Sequence, residues 1–210
     1  MKNIEFFFSY LEKLFPQAKC ELNFSSPFEM LVAVMLSAQC TDKRVNIVTK
    51  ELFKKYNSPK DFACLDTKKL EGIIRPCGFY HSKAKNIINM SKQLLTNYNG
   101  EIPKDPRDME KLAGVGRKTA NVVASELFDS KVIGVDTHIF RVLNRVGFAC
   151  EKTPEKTEFA FVKKYPNYLG REFHYRMVLF GRYYCTARNP KCENCELKGF
   201  CKFYLSKKQA

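Results

Sequence analysis

The sequence predicts an all-α protein. Three observations carry that expectation: apolar residues recur at three- and four-residue spacing almost throughout, two-residue alternation is nearly absent, and a capping Ser, Asp or Thr followed by Pro recurs as a helix-start signal. Ile4, Phe7, Phe8, Leu11, Leu14 and Phe15 share one face of a first helix that Pro16 stops. Ser26-Pro27-Phe28-Glu29 opens a second, with a capping serine, a proline at the first helical position and a glutamate reaching back as in a capping box. Ser58-Pro59, Asp105-Pro106 and Thr153-Pro154 repeat the device. Further helices are expected over 27–39, 42–56, 59–64, 67–75, 82–97, 106–112, 117–128, 137–146, 154–164 and 171–184. The stretch from Asn99 to Asp105 reads as a long loop, and a break at Asp129 to Gly134 marks a boundary between two lobes.

A chain of 210 residues with 45% hydrophobic and 13% aromatic residues buries enough apolar surface to exclude disordered and collagen-like classes. Its 36 Lys and Arg against 22 Asp and Glu leave a formal charge of +14, which points to a polyanionic partner. The excess is spread over the chain, with 16 basic against 11 acidic residues up to Asp105 and 20 against 11 beyond it. Spread charge suits a folded surface following a phosphate backbone, although a merely solvated basic face has the same arithmetic. Phe6, Phe7 and Phe8 are flanked by Glu5 and Glu12, and the longest apolar run, Met30 to Leu36, is far below the ~20 residues of a membrane span. A soluble, cytoplasmic protein with no membrane partner is expected.

Nine cysteines in a reducing compartment do not read as disulfides. Cys20, Cys40, Cys64, Cys77 and Cys150 lie among apolar neighbours and read as small buried hydrophobes. Cys185, Cys192, Cys195 and Cys201 differ, because their spacing, x6, x2 and x5, puts four soft ligands in one short loop able to wrap a metal centre. Spacing leaves zinc and iron–sulfur both open: zinc ribbons bring two Cys-x2-Cys knuckles, and the bacterial ferredoxin run is spaced differently again. Arg182, Arg188, Lys191, Lys198 and Lys202 would offset the negative charge of a thiolate-ligated cluster and would also face phosphates.

The segment Leu112-Ala113-Gly114-Val115-Gly116-Arg117-Lys118-Thr119-Ala120 joins two expected helices through two glycines, giving a helix–hairpin–helix. Gly114 and Gly116 permit a tight turn and close backbone approach, and the amides leading into the second helix suit a phosphate. A plain helical turn is the alternative. Lys118 follows in the first turn, where the helix dipole and Arg117 both disfavour an ammonium and favour the amine that forms a Schiff base. Asp136 stands where another helix begins, as an N-cap, as an electrostatic partner for a developing cation, or as both. His138 and His174 read as packing or hydrogen-bonding residues.

Taken together, these motifs resemble the endonuclease III family, bifunctional DNA glycosylase/AP lyases of the helix–hairpin–helix superfamily. The resemblance runs through Glu21 to Glu29, Leu36-Ser37-Ala38-Gln39, Gly114 to Val123, Val135 to Val142 and the four-cysteine loop. It implies a two-lobed helix–hairpin–helix DNA glycosylase fold: a six-helix barrel lobe over 20–130, its hairpin motif at about 106–128, and an iron–sulfur cluster lobe built from 1–19 and 131–210 with the cluster loop at 185–201. It implies one [4Fe-4S] cluster on Cys185, Cys192, Cys195 and Cys201, Lys118 as the nucleophile and Asp136 as the catalytic aspartate. It implies DNA binding by Gly114, Gly116 and Arg117, with Gln39 and Phe79 inserted into the duplex. Phe79-Tyr80-His81-Ser82-Lys83 departs from the usual aliphatic wedge followed by Tyr-Asn-Ser-Lys, and Ala113 replaces a hairpin proline. The implied substrate is double-stranded DNA carrying damaged bases or abasic sites, bound by a monomer. The implied chemistry is removal of oxidised pyrimidines through a lysine Schiff base, then β-elimination. A monofunctional glycosylase, a metal-stapled DNA-binding module and a ferredoxin-type carrier are the rival readings; Lys118 counts against the first, and the hairpin and the charge against the last.

Overall fold

The apolar helix faces close into two cores. The structure, a computed structural model, describes residues 2–208. Among these residues the regular elements are helical, strands are absent, and no helix is long and apolar enough to cross a membrane. The chain divides into two compact units, Cys20–Phe128 and Met1–Lys19 with Asp129–Ala210.

The first unit holds α2 (Pro27–Ser37), α3 (Asp42–Leu52), α4 (Pro59–Ala63), α5 (Thr67–Ile74), α6 (Tyr80–Asn97), α7 (Pro106–Met109) and α8 (Arg117–Phe128). Residues Phe28 to Leu36 of α2 are buried in unbroken succession, as expected of a helix apolar on every side. The longest helix, α6, packs against α2, α4 and α5, and α8 against α2 and α7. Its buried stripe, Lys83, Ile87, Met90 and Leu94, contains one charged residue.

The caps follow the sequence closely. Ser58 and Asp61 form a complete capping box at α4. At α2 the Ser26 Oγ accepts from the Glu29 amide, but the Glu29 carboxylate accepts from the amide of Ser25 at 2.6 Å, so the reciprocal half sits one residue earlier than expected. Asp105 caps α7, and Thr153 caps the helix Pro154–Lys164 of the second unit. Helix ends diverge more. α2 stops at Ser37 because Ala38 leaves helical geometry at ψ 114°, ahead of the left-handed Gln39, and α6 starts at Tyr80, directly behind the left-handed Phe79.

The second unit holds α1 (Lys2–Leu14), α9 (Thr137–Val146), α10 (Pro154–Lys164), α11 (Arg171–Leu179) and α12 (Lys202–Lys208). Phe7 is fully buried at its centre, ringed by Phe148, Phe173 and Phe180 at centroid distances of 5.2–6.2 Å. The expected helix over 171–184 changes character at Phe180: the Cys185 amide donates to the Phe180 carbonyl at 2.7 Å, five residues back, a π-type turn. The widened turn lets the Gly181 backbone lie against His138, where a Cβ would come within 2.7 Å of the His138 Cβ. α12 has no counterpart in the sequence expectations: its three consecutive apolar residues, Phe203, Tyr204 and Leu205, are too few to show a period.

Phe7→Ala should lower stability by about 3–5 kcal/mol, the cost of an unfilled aromatic cavity, read as a fall in the urea midpoint with an unchanged m-value.

Candidate active site and nucleic-acid interface

Within the first unit, three residues singled out in the sequence meet at one place. Gln39, Phe79 and Gly114 line a single cavity of about 200 Å³, together with Lys83 and Asn86 of α6. Phe79 is 64% exposed, unusual for so large an apolar side chain, and Gln39 is exposed beside it. Both sit at positive φ, 55° for Gln39 and 47° for Phe79. A left-handed backbone at a residue with a side chain costs about 1–2 kcal/mol and persists only where its surroundings impose it.

The surroundings here are a lysine. Lys83 is buried, and its Nζ donates to the carbonyls of Leu36 at 2.8 Å, Ala38 at 2.8 Å and Cys77 at 2.9 Å. Three ammonium N–H groups meet three acceptors, so the charge is fully hydrogen-bonded without a carboxylate. Burial depresses the lysine pKa. Beside it the buried Cys77 thiol is pushed up to about 11, chiefly by burial and then by its neighbour Cys40. Sequence reasoning passed over Lys83 because lysines default to solvent. The available signal was its spacing, four and seven residues before Ile87 and Met90 on the apolar face.

The same helix braces the hairpin. The Gln93 Oε1 accepts from the Ala113 amide at 2.7 Å, and a Cβ at Gly114 (φ 76°) would lie 2.7 Å from the Asn86 Cβ. Gly114 is therefore fixed by both conformation and space. Gly116 is exposed, and a Cβ there meets nothing within 4 Å, leaving its face open to a ligand. Arg117 is half-buried, its guanidinium 3.8 Å from the Glu110 carboxylate. Lys118 stands exposed in the first turn of α8, its ammonium without a hydrogen-bond or ion-pair partner among the described residues.

In the second unit Asp136 is half-buried and caps α9, its Oδ1 accepting from the amides of His138 at 2.9 Å and Ile139 at 2.8 Å. Burial lowers the His138 pKa, outweighing the Asp136 charge, so this imidazole favours the neutral form. One turn on, α9 supplies two arginines to the cysteine loop. Arg141 donates to the carbonyls of Gly181 (2.6 Å) and Cys185 (3.1 Å), and Arg145 to those of Thr186 (2.6 Å) and Ala187 (2.8 Å). Arg145 Nη1 also lies 3.6 Å from the Cys185 sulfur.

Cys185, Cys192, Cys195 and Cys201 wall one cavity whose remaining lining is largely apolar, including Val146, Phe180 and Leu197. Burial raises the Cys192, Cys195 and Cys201 thiols, Cys195 to about 11, and the Cys185 charge raises all three further. Four thiolates would repel one another here unless a metal centre held them, and a metal deprotonates its thiols outright. The donor set therefore fits a thiolate-ligated metal group.

Gly114→Ala should cost about 1–3 kcal/mol through strain and the Asn86 clash, whereas Gly116→Ala should leave the thermal midpoint nearly unchanged; paired melting curves check both.

With this geometry in hand, the relatives are informative. Residues 32–167 match the family model described as HhH-GPD superfamily base excision DNA repair protein. Residues 185–201 match that of the iron-sulfur binding domain of endonuclease III, so the cysteine loop is an iron–sulfur binding segment. Endonuclease III of Bacillus subtilis (strain 168) is 45% identical over 203 residues, covering 96% of this chain and 93% of the relative. A solved non-covalent endonuclease III–DNA complex superimposes with a TM-score of 0.92 at 43% identity, over 100% of this chain and 98% of that one. A trapped endonuclease III–DNA covalent intermediate, an estranged-adenine complex, gives the same TM-score and identity over 99% and 98%. Family models over both the helical body and the cysteine loop, and identity sustained along nearly the whole chain, mean that this protein belongs to the endonuclease III family of the HhH-GPD superfamily.

Proposed function

We propose that this base excision repair enzyme, a DNA glycosylase and AP lyase, acts on oxidised pyrimidines in duplex DNA with Lys118 as its nucleophile and Asp136 as its charge partner. The observation that carries the assignment is the placement of Lys118: exposed, unpartnered among the described residues, and directly behind a hairpin whose Gly116 face is open. The hairpin amides and the +14 charge bind the phosphate backbone, so affinity falls steeply with salt.

A damaged pyrimidine, poorly stacked and paired, leaves the helix at reduced cost. The Lys118 amine attacks C1′, the glycosidic C–N bond breaks, and the base departs with that electron pair and takes up a proton. Transfer of a proton from the lysine nitrogen to O4′ as the C1′–O4′ bond opens gives a protonated C1′=N Schiff base and a free 4′-hydroxyl. Removal of a C2′ proton then drives electrons toward C3′ and expels the 3′ phosphate, which nicks the strand. The Asp136 carboxylate stabilises the cationic sugar and assists the proton transfers; its capping bonds to two amides fix where that charge stands.

Cys185, Cys192, Cys195 and Cys201 would hold one [4Fe-4S] cluster, a reading supported by the match of residues 185–201 to the iron-sulfur binding domain of endonuclease III. When bound, the cluster supplies a cross-link for the basic loop rather than a step in the reaction.

Iron and sulfide analysis of brown, aerobically purified protein should return equal amounts of both; stoichiometric zinc without visible absorbance would overturn the cluster assignment. Gly116→Ala should weaken DNA binding while the fold persists, and undiminished affinity would leave the hairpin a plain turn. Lys118→Gln should abolish the borohydride-trapped adduct and β-elimination yet still bind abasic duplex. Asp136→Asn should slow base release about 10²–10⁴-fold in single-turnover assays on a duplex carrying one oxidised pyrimidine. An Asp136→Asn rate near wild type would reduce that residue to a cap.

A further inference from the structure

We propose that Lys83 is a positioning residue for duplex opening: its buried ammonium fixes the two strained positions, Gln39 and Phe79, at the rim of one cavity. The inference rests on the reading above in which Gln39 and Phe79 enter the duplex. Ala38, whose carbonyl Lys83 holds at 2.8 Å, immediately precedes Gln39. On the other side Lys83 holds the Cys77 carbonyl at 2.9 Å, two residues before Phe79, while its own amide donates to the Phe79 carbonyl at 3.0 Å. The Ser82 hydroxyl donates to that same carbonyl at 2.9 Å. One side chain thus ties two segments 40 residues apart in sequence to the first turn of α6, and both tied segments carry a left-handed residue with its side chain exposed. A wedge does work on the duplex only if its own backbone yields less readily than the stacked bases. Fixing both backbones from a helix core supplies that stiffness, and a neutral side chain of the same length leaves three carbonyls without donors and both segments free to relax.

The test compares wild type, Lys83→Met, Gln39→Ala and Phe79→Ala as full-length, cluster-loaded proteins. Duplex opening is read from the fluorescence of 2-aminopurine placed beside one oxidised pyrimidine, and base release from the same duplex under single-turnover conditions. The companion reaction is cleavage of a single-stranded abasic oligonucleotide, which needs no opening. Lys83→Met should lose the fluorescence rise and release base about 10- to 100-fold more slowly, while single-strand cleavage stays within about twofold of wild type. Opening undiminished in Lys83→Met, or equal loss in both reactions, overturns the proposal. If Lys83→Met does not fold, Lys83→Arg decides by the same criteria, since it keeps the charge but presents a planar fork to three converging carbonyls. Gln39→Ala and Phe79→Ala separate the two levels: undiminished opening in both defeats the insertion reading itself, whereas their loss beside an intact Lys83→Met defeats only the role of Lys83.

Discussion

A helix that ends inside a protein leaves carbonyls that must find donors, and the unit Cys20–Phe128 is organised around how one such end is satisfied. α2 is apolar on every side, and at its C-terminal end the Leu36 carbonyl is buried and needs a donor from the protein. Lys83 meets this carbonyl, that of Ala38 and a third from the segment before α6. An ammonium pays a desolvation penalty in such a place, visible in its depressed pKa, and three short hydrogen bonds offset it. From that fixed point α6 extends its influence along one face. Asn86 occupies the space that a side chain at Gly114 would need, and Gln93 takes the Ala113 amide. The rim of the cavity and the hairpin are thus referred to one rigid helix rather than to their own loops.

The unit built from both ends of the chain solves a related problem with arginines. The cysteine loop has little regular structure, so its carbonyls have few backbone partners. Arg141 and Arg145, one turn apart on α9, donate to four successive stations along its entry, from Gly181 to Ala187. Planar guanidinium groups suit this task because each reaches two carbonyls at once. The helix that carries them begins at Asp136, so the carboxylate and the loop stand on one α-helix, with Asp136 fixed by its cap at one end and the loop anchored a turn and more along.

Much of this was legible in the sequence, for local reasons. The Ser58, Asp105 and Thr153 caps act through side chains two or three residues from the amides they serve, and the all-helical fold follows from periodicity over whole turns. The glycine hairpin and the four-cysteine loop were visible because their residue types are restricted. What escaped depends on distance in the chain. Glu29 serves Ser25 instead of Ser26, a choice made by backbone geometry. The π-type turn at Phe180 goes with the packing of Gly181 on His138, more than 40 residues away. Lys83 escaped for the same reason: nothing near it in sequence announces that Leu36 and Ala38 need donors.

Lys83 and Lys118 show how far environment divides one residue type. Both follow a turn closely and both lie near a helix N-terminus, where the dipole disfavours positive charge. Lys83 is buried, surrounded by acceptors and spent on structure: with all three N–H groups engaged, its lone pair is never presented. Lys118 is exposed and unpartnered among the described residues, the condition that the nucleophile proposed above requires. A nucleophilic lysine must be left unsatisfied, and a structural one must not. On the proposed reading the chain keeps the nucleophile on an open hairpin and closes the structural lysine beneath two strained residues, so that the stiffness demanded by opening a duplex and the freedom demanded by covalent chemistry fall on different side chains.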